Sequence, residues 1–262
     1  MMHSALADWL LTGGDAPEGS RNGYPTAFNL AFKTQGKFYE WLETPGNEKR
    51  LARFGHAMNG TRDWEVTENI IHGFPWEELP QDAVVADVGG GIGSVSVLLA
   101  NAYPHLRFAV KDRASVVAIA RQSWGERNAE LFSSGRVSFH TQDFLEPQTP
   151  IDVPNVGTVA QPDVFLLRAV AHNWPDEDAI QILKHVRTAA GPHTKLLIVD
   201  NLLPYACRDQ DSDGADTGSL VPEGSPLLPN LGRAGLNGYI LDITVPPLDP
   251  WADDAKVDQN DR

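Results

Sequence analysis

The hydrophobic pattern of the chain changes character near residue 79. Before that point, apolar residues recur every three or four positions, as in Leu51, Phe54 and Met58. This spacing is typical of amphipathic helices, and Gly and Pro residues interrupt it. We therefore expect residues 1–78 to form a small helical region.

From residue 79 to 245, short apolar runs alternate with helical stretches, which predicts an α/β domain with a doubly wound, mostly parallel sheet. In the last predicted helix, Ile180, Leu183 and Val186 are expected to face the sheet. The predicted strands are Val84–Val88, Arg107–Lys111, Val137–Thr141, Val164–Leu167 and Lys195–Val199. The predicted helices are Ile92–Tyr103, Ser115–Glu130 and Pro175–Ala190.

Two stretches near the end of the chain lack this alternation. Residues 207–226 are acidic, contain Gly and Pro, and hold few large apolar groups, so we expect a mobile loop within the domain. Residues 246–262 are polar and without pattern. We expect them to form a disordered tail.

A glycine-rich loop follows the first predicted strand. Gly89, Gly91 and Gly93 stand between that strand and a helix, where missing side chains let backbone N–H groups approach a ligand. Asp87, two residues before the loop, suits a ligand with an ammonium group better than a bare pyrophosphate. Ser94 stands where a dinucleotide-binding fingerprint has its third glycine, which argues against a nicotinamide-dependent oxidoreductase. The alternative is a tight turn that binds nothing.

Acidic residues follow the next two predicted strands. Asp112 ends the second, a position from which a carboxylate accepts both hydroxyls of a ribose. Asp143 follows the third, where it can accept from an exocyclic amine while Phe144 covers a ring face. Taken singly, each carboxylate could be a solvated strand-end charge. Together with the loop, they predict a crevice for a nucleoside.

The composition of the chain limits the classes of partner that it is expected to bind. The formal net charge of −14 argues against nucleic-acid binding, which depends on Lys and Arg, and favours a small molecule. The single cysteine, Cys207, can form no intrachain disulfide, and nothing supports a metal site. Neither a membrane span nor a signal peptide is indicated, so we expect a cytoplasmic protein.

Five segments in combination carry a family resemblance: VVADVGGGIGSVSVLLA, FAVKDRASVV, VSFHTQDFLEP, DVFLLRAVAHNWPDEDAIQIL and KLLIVDNLLPYA. Over roughly residues 25–244, the chain resembles the class I O-methyltransferases of the caffeate O-methyltransferase-like type, particularly fungal members. The resemblance implies a Rossmann-like fold and transfer of a methyl group from S-adenosyl-L-methionine to a hydroxyl of a small, phenol-like secondary metabolite. S-adenosyl-L-homocysteine would be the second product, and no metal would be required.

The resemblance also implies roles for individual residues. Gly89, Asp112, Asp143 and Phe144 match cofactor contacts, while Arg168 and Trp174 match positions beside the adenine. His172 matches the general base, and Asp200 falls where plant relatives have a carboxylate that orients this histidine. The residues that match acceptor contacts are Asn237 and Asp242. Met58 is a further candidate substrate contact, although a Met at helical spacing is more often plain core.

The predicted base suits the reaction. A phenol has a pKa near ~10, so a base within hydrogen-bond reach helps to expose its oxygen at neutral pH. Histidine titrates in a suitable range, and a carboxylate beside it fixes the tautomer and stabilises the imidazolium that forms. We therefore expect His172 and Asp200 to act as base and orienting group.

The chain departs from the family at both ends. Relatives carry a larger N-terminal dimerisation region, and their C-terminal part adds a hairpin and a second carboxylate beside the catalytic histidine. We therefore expect an intact cofactor site, impaired acceptor binding and a weakened tendency to form the usual homodimer. The alternatives are a truncated, non-catalytic protein that binds S-adenosyl-L-methionine, and a relative that uses the cofactor site for a non-methylating reaction.

Overall fold

The computed structural model describes residues 27–35, 38–61, 67–174, 176–200, 221, 226–228 and 231–232. The chain divides into two compact units, one of residues 1–54 and 201–262 and the other of Gly55–Asp200. The predicted tail and almost all of the predicted mobile loop lie outside the described residues. Among the described residues, no helix is long and apolar enough to cross a membrane.

In the first unit, the described residues before position 55 are mostly helical and pack around an aromatic cluster. Helices α1 (Ala27–Phe32) and α2 (Phe38–Leu42) are followed by α3 (Glu48–Thr61), which begins in this unit. Phe28 is fully buried, and its ring centroid lies 5.2 Å from that of Trp41. Phe28 is therefore a core residue of its own unit.

The second unit is built on a five-stranded parallel sheet, whose strands follow in the spatial order Val137–Thr141, Arg107–Asp112, Val84–Val88, Val164–Arg168 and Lys195–Val199. This arrangement confirms the predicted fold class. Its strands are β1 (Val84–Val88), β2 (Arg107–Asp112), β3 (Val137–Thr141), β6 (Val164–Arg168) and β7 (Lys195–Val199). A separate antiparallel hairpin is formed by β4 (Ile151–Val153) and β5 (Gly157–Val159).

The strands β1, β2 and β6 are buried on both faces, as their mostly apolar sequences require. The described helices of the unit are α4 (Thr67–His72), α5 (Ser94–Ala102), α6 (Ala114–Arg127), α7 (Ala129–Ser133) and α8 (Asp176–Ala189). On one face, residues of α5 and α6 pack with Phe108 and Val110. On the other, the hairpin and α8 pack with Val84, Ala109 and Phe165.

The prediction for α8 is wrong in one respect. Ile182 and Val186 are 1% exposed and belong to the core, whereas Ile180 is 48% exposed. Residues spaced by three drift around a helix of 3.6 residues per turn, so a repeated spacing of three cannot keep one face. The buried face follows the spacing of four from Ile182 to Val186, with Leu183 partly buried beside it.

Candidate functional site

The candidate site lies at the carboxyl ends of the parallel strands. In an open α/β sheet these ends share one edge, and the loops that leave them surround a crevice. The glycine loop leaves β1, Asp112 ends β2, Asp143 follows β3, and Arg168 ends β6. Asp200 follows β7 directly. The topology therefore places most of the predicted site residues on one edge of the sheet.

The glycine loop adopts a backbone that favours glycine. Gly89, Gly91 and Gly93 have φ angles of 69°, 60° and 79°, which place all three in the left-handed region. A Cβ at Gly89 would lie 2.8 Å from the Val170 side chain, whereas one at Gly91 would meet nothing within 4 Å. Gly89 thus allows close packing, and Gly91 leaves its backbone open to an approaching ligand.

Asp112 is bonded to the glycine loop. One oxygen of its carboxylate accepts from the Gly91 N–H at 2.8 Å, and the other accepts from the Arg113 N–H at 2.8 Å. A carboxylate can accept several hydrogen bonds at once, so these bonds are compatible with the predicted contact to ribose hydroxyls. Asp112 therefore shapes the loop as well as standing in the position expected for a ribose contact.

Asp87 lies beneath the same loop. Its side chain is 2% exposed, accepts a hydrogen bond from the Ser96 hydroxyl at 2.7 Å and touches Gly90, where a Cβ would lie 2.5 Å from its carboxyl carbon. Burial raises the pKa of Asp87 to about 6, with a smaller contribution from the charge of Asp112 and opposition from the Ser96 hydrogen bond. Its predicted contact with a ligand ammonium stays a prediction.

Two aromatic rings lie next to the loop. Phe144 and Trp174 pack edge to face, with ring centroids 5.3 Å apart and an angle of 85° between their planes. The Phe144 ring also flanks Gly89, where a Cβ would be 3.3 Å from it. The exposed Asp143 accepts from the Leu145 N–H at 2.9 Å, a bond that shapes the turn carrying Phe144. The structure thus brings Gly89, Phe144 and Trp174 together.

His172 is bound to Asp200 at two points. Its ring Nδ1 bonds one carboxylate oxygen, and its backbone N–H donates to the other at 3.3 Å. With Nδ1 as the donor to Asp200, Nε2 is the nitrogen whose lone pair can accept a proton. His172 and Asp200 are partly exposed, with 26% and 16% of their side chains accessible. This pair has the arrangement of a general base and its orienting carboxylate.

The chain reaches this geometry through an unusual turn after β6. Ala169 has a φ of 53°, in the left-handed region that non-glycine residues seldom adopt. Its N–H donates to the Val199 carbonyl at 2.9 Å, and its carbonyl accepts from the Asn173 side chain at 3.2 Å. The turn leads directly into the short 3-10 helix Ala171–Asn173, which carries His172.

Arg168 stands at the end of β6, where its electrostatic partner in the site is Asp200. Burial lowers the pKa of the Arg168 guanidinium, and the negative charge of Asp200 opposes that change. The structure thus associates Arg168 with the carboxylate that binds His172. The predicted contact of Arg168 with an adenine stays a prediction.

Comparison with known proteins identifies the family. Residues 3–221 match the family model of the O-methyltransferase domain. The chain belongs to this family. This result confirms the resemblance stated from the sequence.

Among the relatives of this O-methyltransferase chain, an O-methyltransferase of Armillaria gallica is 40% identical over 221 residues, which cover 83% of this chain and 45% of that protein. The 4-O-methyltransferase 1 of Phanerochaete chrysosporium is 38% identical over 218 residues, 82% of this chain and 44% of that protein. The chain therefore spans a little under half the length of these relatives.

Among solved structures, an O-methyltransferase from neocarzinostatin biosynthesis, in complex with S-adenosyl-L-homocysteine and 1,4-dihydroxy-2-naphthoic acid, has a TM-score of 0.56 and 25% identity. The match covers 75% of this chain and 50% of that one. It supports the O-methyltransferase fold of the second unit.

Three predicted substrate contacts are not placed as side chains. Asn237 and Asp242 lie outside the described residues, and Met58 lies on α3 with its side chain outside the description. All three stay predictions. The described residues contain no group of three or more His, Cys, Asp or Glu side chains that could hold a metal ion.

Three buried polar residues of the site were missed from the sequence. Ser96, Lys111 and Gln142 are 0%, 1% and 6% exposed. The sequence carries a signal for each, since Ser96 and Lys111 interrupt apolar runs and Gln142 directly precedes Asp143. Because each of these residues is buried, its polar group needs a hydrogen-bond partner within the fold.

Proposed function

We propose that this chain carries the catalytic part of an S-adenosyl-L-methionine-dependent O-methyltransferase that methylates a hydroxyl of a small aromatic molecule, with His172 as general base. The observation that carries the proposal is the two-point attachment of His172 to Asp200 at the edge of the sheet that also holds the glycine loop. Membership of the O-methyltransferase family supports it.

The residues at the glycine loop fit this cofactor. The open space beside the left-handed Gly91 admits a ligand close to the backbone. The Asp112 carboxylate is suited to ribose hydroxyls, while Asp143 and Phe144 offer an acceptor and a ring face to an adenine. When bound, the cofactor supplies a methyl group on a sulfonium, which is already activated towards an oxygen nucleophile.

The chain then has to orient the acceptor and take its proton. Nε2 of His172 accepts the proton of the attacking hydroxyl, and Asp200, bonded to Nδ1, stabilises the imidazolium that results. The charge of Asp200 acts on Arg168, so a cationic side chain belongs to the electrostatic surroundings of the carboxylate that orients His172. General-base catalysis of this kind contributes about 10²–10⁴-fold to a rate.

The acceptor class is proposed from the chemistry of the base and from a relative. A phenolic hydroxyl has a pKa near ~10, close enough to that of histidine for proton transfer to help. The structural relative from neocarzinostatin biosynthesis was solved with a dihydroxynaphthoic acid bound. Hydroxylated naphthoic acids and related phenols are therefore the first acceptors to test.

The experiment uses the full chain with methyl-labelled S-adenosyl-L-methionine and a panel of dihydroxynaphthoic acids and phenols. We expect His172→Ala to lower kcat/KM by about 10²–10⁴-fold, because only the proton transfer is lost. Binding of S-adenosyl-L-homocysteine, measured by titration calorimetry, should change less than about twofold. His193→Ala, at an exposed position after α8, is the matched control.

Two outcomes would overturn the proposal. Unchanged turnover in His172→Ala would show that His172 is not the general base. A folded chain that binds no S-adenosyl-L-homocysteine would show that the cofactor assignment is wrong.

A further inference from the structure

Lys111 is the residue at which the segments of the candidate cofactor site meet. Its backbone carbonyl accepts from the N–H of Gly89 in the glycine loop at 2.8 Å. Its side-chain Nζ donates to the Thr149 carbonyl at 3.0 Å. The next residue, Asp112, accepts at its backbone carbonyl from the Gln142 N–H at 2.9 Å. One end of β2 thus contacts both the loop after β1 and the segment after β3.

The segment from Gln142 to Thr149 is closed by a buried amide. The Gln142 side chain donates to the carbonyls of Asp143 at 2.6 Å and Pro147 at 3.2 Å. Its oxygen accepts from the backbone N–H and hydroxyl of Thr149 at 3.0 and 2.8 Å. The segment is therefore a closed loop, and the bond from Lys111 ties its far end to β2. Asp143 and Phe144 lie within this loop.

The hydrogen bond from Lys111 to the loop requires the ammonium group to be buried, which has a free-energy cost. The side chain is 1% exposed in a strand whose preceding residues Phe108, Ala109 and Val110 are all fully buried. Lysine is seldom fully buried, because its ammonium loses its water there. An apolar side chain would avoid that cost but would leave the Thr149 carbonyl without this donor. The structure thus contains a buried charge whose described hydrogen bond goes to the loop.

We infer that Lys111 is a positioning residue, which holds the 142–149 loop against β2 so that Asp143 and Phe144 are preorganised for the adenine half of the cofactor. This inference rests on the proposed function, since it assigns the loop to adenine. It also makes a statement about the free protein, because the tie orders the loop before any ligand binds. Preorganisation of this kind raises affinity by lowering the ordering cost of binding.

The charge on Lys111 gives the inference a pH dependence. Burial lowers the pKa of Lys111 to about 8, so the ammonium is present at pH 7 and mostly lost by pH 9.5. A neutral amine is a weaker donor than an ammonium, so the tie weakens over this interval. We therefore expect nucleoside affinity to fall as the pH rises through about 8.

The charged groups near Lys111 lie on the neighbouring elements. His140 on β3 is its register partner, and Asp152 on β4 and Arg121 on α6 act on His140. The pKa of His140 is lowered, first by burial and then by Lys111 and Arg121, with Asp152 opposing. His140 is therefore largely neutral by pH 7, before Lys111 loses its charge.

The experiment compares the parent chain with Lys111→Met, which has a similar length without charge, and Lys111→Arg, which keeps a cationic donor. Lys184→Met, at an exposed position of α8, is the matched control. The probe is 5′-methylthioadenosine, which has adenine and ribose but no amino acid group that titrates in this range. Its Kd is measured at pH 7 and pH 9.5, and hydrogen exchange of residues 142–149 is followed in the ligand-free proteins.

We expect Lys111→Met to bind the nucleoside about tenfold more weakly than the parent at pH 7, the effect of losing one charge-assisted hydrogen bond. The parent should lose most of that advantage by pH 9.5, while the affinity of Lys111→Met stays flat. Lys111→Arg should recover part of the affinity at pH 7 and keep it at pH 9.5. Exchange in Lys111→Met should be faster within residues 142–149 and unchanged in the strands of the sheet.

Equal nucleoside affinity of Lys111→Met and the parent, or faster exchange across the whole sheet, would overturn the inference. The second outcome would make Lys111 a general stability residue. Failure of the proposed function has a different signature, since the parent itself would then bind neither 5′-methylthioadenosine nor S-adenosyl-L-homocysteine. Exchange in the ligand-free chain would still decide whether Lys111 holds the loop.

Discussion

The buried carboxylate of Asp87 is expected to lower the stability of the fold at neutral pH, and Asp87→Asn tests this directly. Burial raises the pKa of Asp87 from 3.8 to about 6. At ~1.4 kcal/mol per tenfold change in an ionisation constant, this interval corresponds to about 3 kcal/mol of unfolding free energy. Above pH 6 the folded chain bears the whole cost of the buried charge.

The sign of the pH dependence follows from proton uptake. Between about pH 4 and 6 the folded state binds more protons at Asp87 than the unfolded state, so the contribution of this group to stability falls as the pH rises. Asn titrates nowhere in this range. The unfolding free energy of Asp87→Asn, minus that of the parent, should therefore increase by about 2 kcal/mol from pH 4 to pH 7, because the unfolded carboxyl is already about half ionised at pH 4.

The difference between the unfolding free energies of Asp87→Asn and the parent reports the effect of the Asp87 charge better than either free energy alone. The replacement also alters the hydrogen bond from Ser96 and adds an amide N–H₂ group, but these contributions change little with pH. Urea denaturation at pH 4, 5, 6 and 7, followed by circular dichroism and tryptophan fluorescence, gives the four differences. Ser96→Ala is the matched control, because losing the bond that lowers the pKa should move the dependence to higher pH. A difference that stays constant across the four pH values would refute the reasoning.

Two further predictions concern stability, one at the amino end of β3 and one in the turn that precedes His172. Arg136→Met should lower the unfolding free energy by about 1–3 kcal/mol in urea denaturation, because Nη2 donates to the carbonyls of Ala100 at 2.6 Å and Tyr103 at 3.1 Å at the end of α5. The exposed Arg127→Met should change it little. Ala169→Gly should leave stability unchanged or raise it by up to about 1 kcal/mol, since relief of the left-handed backbone offsets the greater freedom of the unfolded chain; a loss above about 1 kcal/mol would contradict this.

The strands of the sheet could be predicted because each contains a short run rich in apolar residues, bounded by turns and helices. The apolar runs Val84–Val88, Val137–Thr141 and Lys195–Val199 coincide with β1, β3 and β7. The predictions for β2 and β6 ended one residue too early, because each strand continues for one more polar residue. Asp112 and Arg168 are polar, so the apolar pattern does not include them. Both residues are nevertheless paired in register with the neighbouring strand, so each strand extends to include one of them.

The hairpin β4–β5 was not predicted, because strands of three residues are too short to show alternation. Its turn does carry a local signal. Asn155 and Gly157 have φ angles of 64° and 104°, and both residue types are common at such positions. The apolar residues beside this turn, Ile151 and Val153, are buried, so the hairpin covers part of the sheet face next to α8.

The site residues differ in how far the sequence could place them. The left-handed angles of Gly89 and Gly91 follow from a strand-to-helix turn, which local sequence specifies. The contact between His172 and Asp200 joins positions 28 residues apart, and it depends on β6 and β7 being neighbours. Family resemblance supplied that pair, whereas no pattern within the chain would have done so.

Asp87 and Asp112 accept hydrogen bonds from protein groups in addition to their predicted ligand contacts, and this affects how their substitutions should be interpreted. Asp112 accepts two backbone N–H groups, so its removal leaves both donors without this partner and should destabilise the loop. Asp87 accepts from one hydroxyl in a setting where its own charge is unfavourable, so its removal should stabilise the chain above pH 6. If both substitutions weaken cofactor binding while their effects on stability have opposite signs, loss of binding cannot be a mere consequence of unfolding. Measuring stability and S-adenosyl-L-homocysteine affinity on the same two variants therefore separates the roles of the motif in folding and in recognition.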